Sequence, residues 1–271
     1  MTRLRHSFAL LAAAIILTAA AAPAPSQDPA PAPGQQKPAA AIKYICPPCG
    51  AQCHDRFYDA AGNCAVCGMA LVESTTVPRV GVLVFDGVDL LAFTGPAGVF
   101  ARSGRVFVST VADTTDPVGS QEVITLTPSF SFDDAPEFQV LVLAGGGDIR
   151  GIAGDTYITR WVAKRVEAAD HVLCVGLGSL ILHATGALEG KAIPVPPFIA
   201  SRAEQFIAGS TADTEQRMID HGKIKLARDE AAAIELSLRI LEEMTDGETA
   251  KRTAGETGFP FVPAAAREGR R

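Results

Sequence analysis

The stretch Gln139-Val-Leu-Val-Leu-Ala-Gly-Gly-Gly147, followed by His171-Val-Leu-Cys-Val-Gly-Leu-Gly178, decides the fold. Each begins as a short, continuous apolar run and ends in glycine. A strand covered on one face alternates apolar with polar residues, whereas a strand covered on both faces does not. Both runs therefore read as strands buried in the middle of a parallel sheet. Val80-Gly-Val-Leu-Val-Phe85 reads the same way.

Helical spacing fills the intervals. It runs over Thr156–Ala168, around the single Trp161, over 178–185, and over Glu230–Met244, where the amphipathic pattern is strong. A turn at Gly95-Pro96 is expected to open a short helix through Phe100, and another short helix is expected around 202–207. Residues 105–111 read as a strand and 122–126 as part of a hairpin. The tail from 255 to 271 reads as irregular. Strands alternating with helices predict an α/β domain over 78–254, with an open, mostly parallel sheet and helices on both faces.

Sites in such sheets lie beyond the carboxyl ends of the strands. Three loops are expected to meet there, over 86–96, 145–147 and 175–178. The candidate ligand-pocket residues are Asp86, Asp89, Gly95, Gly145, Gly146, Gly176, Leu177 and Gly178. The glycines let backbone N–H groups approach a ligand closely. Asp86 and Asp89 read either as pocket residues or as turn residues. His171 and His183 read as structural or solvent-facing. His221 receives no role, and Glu235, Arg239, Glu242 and Glu243 read as a solvated helix face.

Ahead of this domain, five of the six cysteines crowd into one short segment, at positions 46, 49, 53, 64 and 67. Cys46-Pro-Pro-Cys49 and Cys64-Ala-Val-Cys67 form two Cys-x-x-Cys pairs on either side of a short connector. Each pair fits a tight turn that aims both sulfurs at one point. Four thiolates from two such turns suit tetrahedral zinc, and soft sulfur also suits Cu(I). The candidate ligands are Cys46, Cys49, Cys64 and Cys67, with Cys53 and His54 as spare donors. Disulfide bonding is the competing reading. Five cysteines cannot all pair within the segment, and Cys-x-x-Cys bridges are strained and reducible.

The first residues indicate a compartment. Arg3, Arg5 and His6 precede an apolar stretch over 8–22 that ends in small residues. This is the layout of a secretory signal peptide, read here as residues 1–25; a retained anchor is the alternative. Export to the periplasm is the expectation. Residues 26–42, rich in Pro and Ala, read as a tether. Net charge is −6, without the basic stripe that nucleic-acid binding needs. No apolar run after the leader is long enough to span a bilayer.

Two resemblances follow from these residues. Tyr44, Cys46 and Pro47, with Cys64, Cys67, Gly68, Met69 and Leu71, make residues 43–73 resemble the heavy-metal-binding domain. That resemblance implies a bound metal ion. The α/β segment resembles the ThiJ/PfpI family of the glutamine-amidotransferase-like superfamily, a flavodoxin-like fold. Its nearest branch includes isonitrile hydratase-like proteins and sensor domains of transcription regulators. The motifs carrying this are Leu91-Ala-Phe-Thr-Gly-Pro96, Ala144-Gly-Gly146, the elbow Gly176-Leu-Gly178, and Thr185-Gly-Ala-Leu-Glu-Gly190.

By this resemblance Gly176 stands where the family carries its nucleophilic cysteine, and Ala92 where relatives carry an Asp. Gly98 stands at a position often filled by Glu, and 193–197 lacks the usual His. The resemblance thus implies a binding or accessory protein that lacks the catalytic cysteine and takes a small ligand or partner, and it implies a homodimer. The alternative is an enzyme with hydratase, deglycase-like or peptidase-like chemistry, using Cys174 or a metal-bound water. Cys174 itself reads either as a buried core thiol or as the nucleophile of an irregular elbow.

Overall fold

The structure is a computed structural model that describes residues 43–48, 53 and 56–264. The expected leader and tether, Cys49, His54 and the last seven residues of the tail lie outside the described residues.

Three short strands begin the described chain: β1 (Tyr44–Ile45), β2 (Phe57–Tyr58) and β3 (Val72–Glu73). They form an antiparallel sheet with β1 in the centre. The α/β domain follows with β4 (Arg79–Leu83), α1 (Leu90–Arg102), β5 (Phe107–Ala112), the hairpin β6 (Val118–Ser120) and β7 (Ile124–Leu126), and β8 (Phe130–Ser131). Next come β9 (Val140–Ala144), α2 (Ile149–Gly154), α3 (Thr156–Ala168), β10 (His171–Val175) and α4 (Ser179–Ala184). The rest is β11 (Ala192–Pro194), α5 (Ala203–Phe206), β12 (Thr211–Asp213), β13 (Met218–His221), β14 (Ile224–Ala227), α6 (Glu230–Met244) and α7 (Gly247–Thr257).

The main sheet has the order β13-β14-β10-β9-β4-β5-β8, and only β13 runs antiparallel to its neighbour. β9 is buried at every position, which explains its unbroken apolar run. The connection β4-α1-β5 steps one way along the sheet and β9-α3-β10 steps the other. Right-handed crossovers then place α1 and α3 on opposite faces. α6 and α7 pack with α1, while α2 and α4 pack with α3 or with each other, so both faces are covered.

Three expectations need correction. The first helix does not open at Gly95-Pro96. It starts at Leu90, where Asp89 Oδ1 accepts from the N–H groups of Leu91 and Ala92. Pro96 lies inside the helix and is buried, so tertiary packing overrides a residue that costs about 3 kcal/mol in an isolated helix. The tail is not irregular from 255: α7 continues to Thr257 and closes on Gly258 at φ 76°. Its apolar signal is weak because it buries Thr249 and Thr253. Thr253 satisfies its hydroxyl on Thr249 O at 2.8 Å. Finally, Glu243 is more than a solvated residue of α6, because it pairs with the buried Lys225 at 3.1 Å.

Candidate functional site

β10 ends at Val175, and the chain turns through a 3₁₀ segment, Gly176–Gly178, into α4. Gly176 has φ 55°, in the left-handed region that disfavours other residues. A side chain there would still find room, since a Cβ would meet only Arg228 O at 3.8 Å. Gly178 differs: a Cβ would lie 2.0 Å from Leu143 O, so only glycine lets α4 start against β9.

Above this elbow lies a cleft of about 620 Å³ at the carboxyl ends of the strands. Asp89, Gly145, Gly146, Gly176 and Leu177 line it, as does Ala92. The other three expected pocket residues stand elsewhere. Asp86 accepts from Gly119 N at 2.8 Å and fastens the β6–β7 hairpin. Gly95 faces α6, where its Cβ position is 3.2 Å from Ile234. Gly178 is buried under the elbow.

Several lining residues escaped sequence reasoning: Gln121, Phe198, Arg228, Asp229 and Glu230. The last three follow β14, so the rule that sites gather at strand carboxyl ends would have found them once that strand was recognised. Gln121 had no local signal. It and Glu122 form the hairpin turn with φ 47° and 58°, values usually left to Gly or Asn. Gln121 Nε2 donates to Asp89 Oδ2 at 2.8 Å across the cleft mouth. Asp229 caps α6 and takes Arg217 at 3.0 Å, which holds its carboxyl below the usual carboxylate range.

Cys174 lies two residues before the elbow, in register with Leu143 and Leu226. It is 0 % exposed, and burial pushes its thiol well above the usual range. The reading of Cys174 as an exposed nucleophile is therefore corrected: strand alternation and sheet packing keep its sulfur in the core. His183 and His221 hydrogen-bond to the backbone carbonyls of Ala208 and Ala192, in keeping with structural roles.

The second candidate site is in the three-stranded segment. Sulfurs of Cys46, Cys53, Cys64 and Cys67 all lie within 4.8 Å of one another. Cys46 and Cys67 are 3.2 Å apart, and Cys53 and Cys67 are 3.8 Å apart. Sulfurs bound at about 2.3 Å to one tetrahedral zinc lie about 3.8 Å from each other, so the donor set fits a zinc-sized ion. A disulfide needs about 2.05 Å. Cys53, which the sequence marked as a spare, stands within this tetrad. Backbone N–H groups of Cys67 and Val66 lower the Cys64 thiol to about 6, against the effect of its burial. Tyr58 Oη lies 3.6 Å from the same sulfur.

A family model described as DJ-1/PfpI family matches residues 78–243. The chain belongs to the DJ-1/PfpI family. A second model, heavy metal binding domain, matches residues 43–74. Isonitrile hydratase of Pseudomonas putida is 33% identical over 113 residues, which is 42% of this chain and 50% of the hydratase. The match thus spans about half of that relative's length. A ThiJ/PfpI family protein from Pseudomonas syringae superposes with TM-score 0.62 at 24% identity, over 69% of this chain and 77% of that one. Drosophila melanogaster DJ-1beta superposes with TM-score 0.60 at 18% identity, over 68% of this chain and all of that one. These two likenesses are of fold.

The tetrad lies in the segment matched by the heavy metal binding domain, ahead of the DJ-1/PfpI match, and its donor set suits a metal ion. No helix among the described residues is long and apolar enough to cross a membrane.

Proposed function

We propose that this is an exported metal-handling protein whose DJ-1/PfpI domain binds a small ligand and does not turn it over. The observation that carries the second half is the elbow. The left-handed position holds Gly176, which has no nucleophilic atom, and the nearby Cys174 is sealed in the sheet. A thiol nucleophile must be accessible and ionised, and Cys174 is neither. Ala92, the residue at the acid position, is a buried apolar side chain beside the cleft.

The tetrad supports zinc as the preferred metal, with Cu(I) as the other soft ion it suits. The basic, apolar and small-residue order of the first 25 residues supports export, and the fold supports a homodimer only by family likeness.

One observation favours an enzyme: the 33% identity to an isonitrile hydratase. A metal-bound water from the tetrad is a poor source for such chemistry. Arg79, at the amino end of β4, sits over the Phe57 ring of the three-stranded segment at 5.7 Å. The cleft lies at the opposite, carboxyl end of the strands.

The test is to incubate the zinc-loaded protein with cyclohexyl isocyanide and follow the formamide by mass spectrometry. Unchanged isonitrile is the expected result. Catalytic formation of the formamide would overturn the non-catalytic reading.

A further inference from the structure

The four sulfurs of the tetrad are not equivalent, and the difference assigns them different work. Cys46 is 0 % exposed and Cys53 is 0 % exposed, while Cys64 is 3 % exposed. Cys67 is the member of the four with solvent access: the residue is exposed and its sulfur half-buried. Cys46 follows the central strand β1, held between β2 and β3. Cys64 is fixed by its own turn, where its N–H donates to Met69 O at 2.8 Å and its carbonyl accepts from Gly68 N at 2.8 Å. With Leu71 against them, the three buried cysteines form a small closed core. Cys67 contributes the fourth sulfur from the surface of that turn, between the exposed side chains of Val66 and Met69.

We infer that Cys67 is the exchangeable ligand through which metal enters and leaves the tetrad, so the segment hands metal to an incoming donor instead of locking it away. The inference rests on the metal reading above. Three sheltered thiolates keep the ion in place while the fourth coordination position turns over. In the first step the Zn–S bond to Cys67 would break as a bond from the acceptor's nitrogen or sulfur to zinc forms. The bonds to Cys46, Cys53 and Cys64 would then exchange in turn for further acceptor atoms, each released thiolate taking a proton from solvent, and no electron changes hands. Associative exchange needs a ligand that an incoming donor can reach. A structural zinc site instead keeps all four ligands closed.

The experiment uses the full chain loaded with one equivalent of zinc and needs no variant for its main reading. A limiting pulse of N-ethylmaleimide is followed by peptide mass mapping. Among the tetrad, Cys67 is expected to react faster than Cys46, Cys53 and Cys64 by on the order of tenfold, since thiol reactivity follows access. In parallel, transfer of zinc to 4-(2-pyridylazo)resorcinol is timed at several acceptor concentrations. The rate is expected to rise in proportion to the acceptor. Cys67→His, which restores a ligand of different reach, is expected to retain zinc with a changed transfer rate, while Cys64→His alters retention itself. Equal labelling of all four sulfurs, labelling of a buried cysteine first, or a transfer rate independent of acceptor concentration would overturn the assignment. A chain that takes up no zinc by elemental analysis overturns the metal reading beneath it, and that outcome is distinct from a slow, closed site.

Discussion

If the elbow at Gly176 is an open nucleophile position that lacks only its side chain, then Gly176→Cys should create a reactive thiol in an intact fold. The Cβ would meet nothing nearer than Arg228 O at 3.8 Å, an ordinary contact. The cost is therefore backbone strain alone. A non-glycine residue in the left-handed region costs roughly 1–2 kcal/mol. For a domain of this size that lowers Tm by roughly 2–8 °C. The introduced sulfur would stand on the cleft floor beside Leu177, whereas Cys174 is 0 % exposed. Iodoacetamide labelling of the zinc-loaded variant, mapped by peptide mass, should modify position 176 at least about 100-fold faster than Cys174, because reactivity follows exposure and thiolate fraction. An introduced thiol as inert as Cys174, or a variant that fails to fold, would refute the placement of Gly176 at an open elbow.

Gly178→Ala should destabilise by several kcal/mol in urea unfolding, since its Cβ would lie 2.0 Å from a backbone oxygen with no flexible side chain to yield. Cys174→Ala should lower stability by about 1–3 kcal/mol through a small cavity and leave ligand binding in the cleft unchanged, as calorimetry would show. Cys53→Ser should reduce bound zinc in elemental analysis, whereas a structure in which Cys53 stood outside the metal shell would keep full occupancy. Burial lowers the pKa of His171, with Glu243 opposing and the buried Lys225 reinforcing the shift. Below about pH 6.5, its unfolded value, the unfolded chain takes up a proton that the folded one resists. Stability should therefore fall as pH drops through that range, and His171→Gln should flatten the dependence of the urea midpoint between pH 7.5 and 5.5.

The sheet was legible because its central strands are buried on both faces, and burial writes itself as unbroken apolar runs. Thr156–Ala168, His171–Val175 and Glu230–Met244 have the ends expected of them. The elements that escaped are those where another interaction outweighs local pattern. An Asp89 cap starts α1 six residues before the Gly95-Pro96 signal suggested. Threonine hydroxyls bonded to their own helix hide the buried face of α7. The glycine floor of the cleft could be read from sequence because glycine is favoured there for two reasons: a Cβ on Gly146 would lie 2.6 Å from Gly87 O, and Gly176 has φ 55°. Its walls could not, because Gln121, Phe198 and Arg228 are brought there by loops whose course depends on tertiary packing. The tetrad was half legible. Cys-x-x-Cys spacing marks a sulfur site, but spacing does not tell which of five cysteines the fold will turn inward, and Cys53 is one that it does.

The arrangement also bears on why these two segments share a chain. The three-stranded segment meets the α/β domain at Arg79, whose guanidinium lies over the rings of Phe57 at 5.7 Å and Phe107 at 5.3 Å. Both contacts are at the amino end of the sheet. The cleft is at the carboxyl end, separated by the length of β4, or about 16 Å at 3.3 Å per residue. No side chain spans that distance, so an ion in the tetrad cannot polarise a ligand above Gly176 in the same chain. Coupling between the sites, if a metal titration alters ligand affinity, has to pass through the packing of β4 and its neighbours. Val80–Leu83 of β4 and all of β9 are buried, so a shift at Arg79 meets a close-packed sheet. Arg79→Ala therefore separates the cases: it should leave zinc content and cleft binding each intact, and any linkage measured between them should disappear. A linkage that survives the substitution would mean that the two sites communicate by another route.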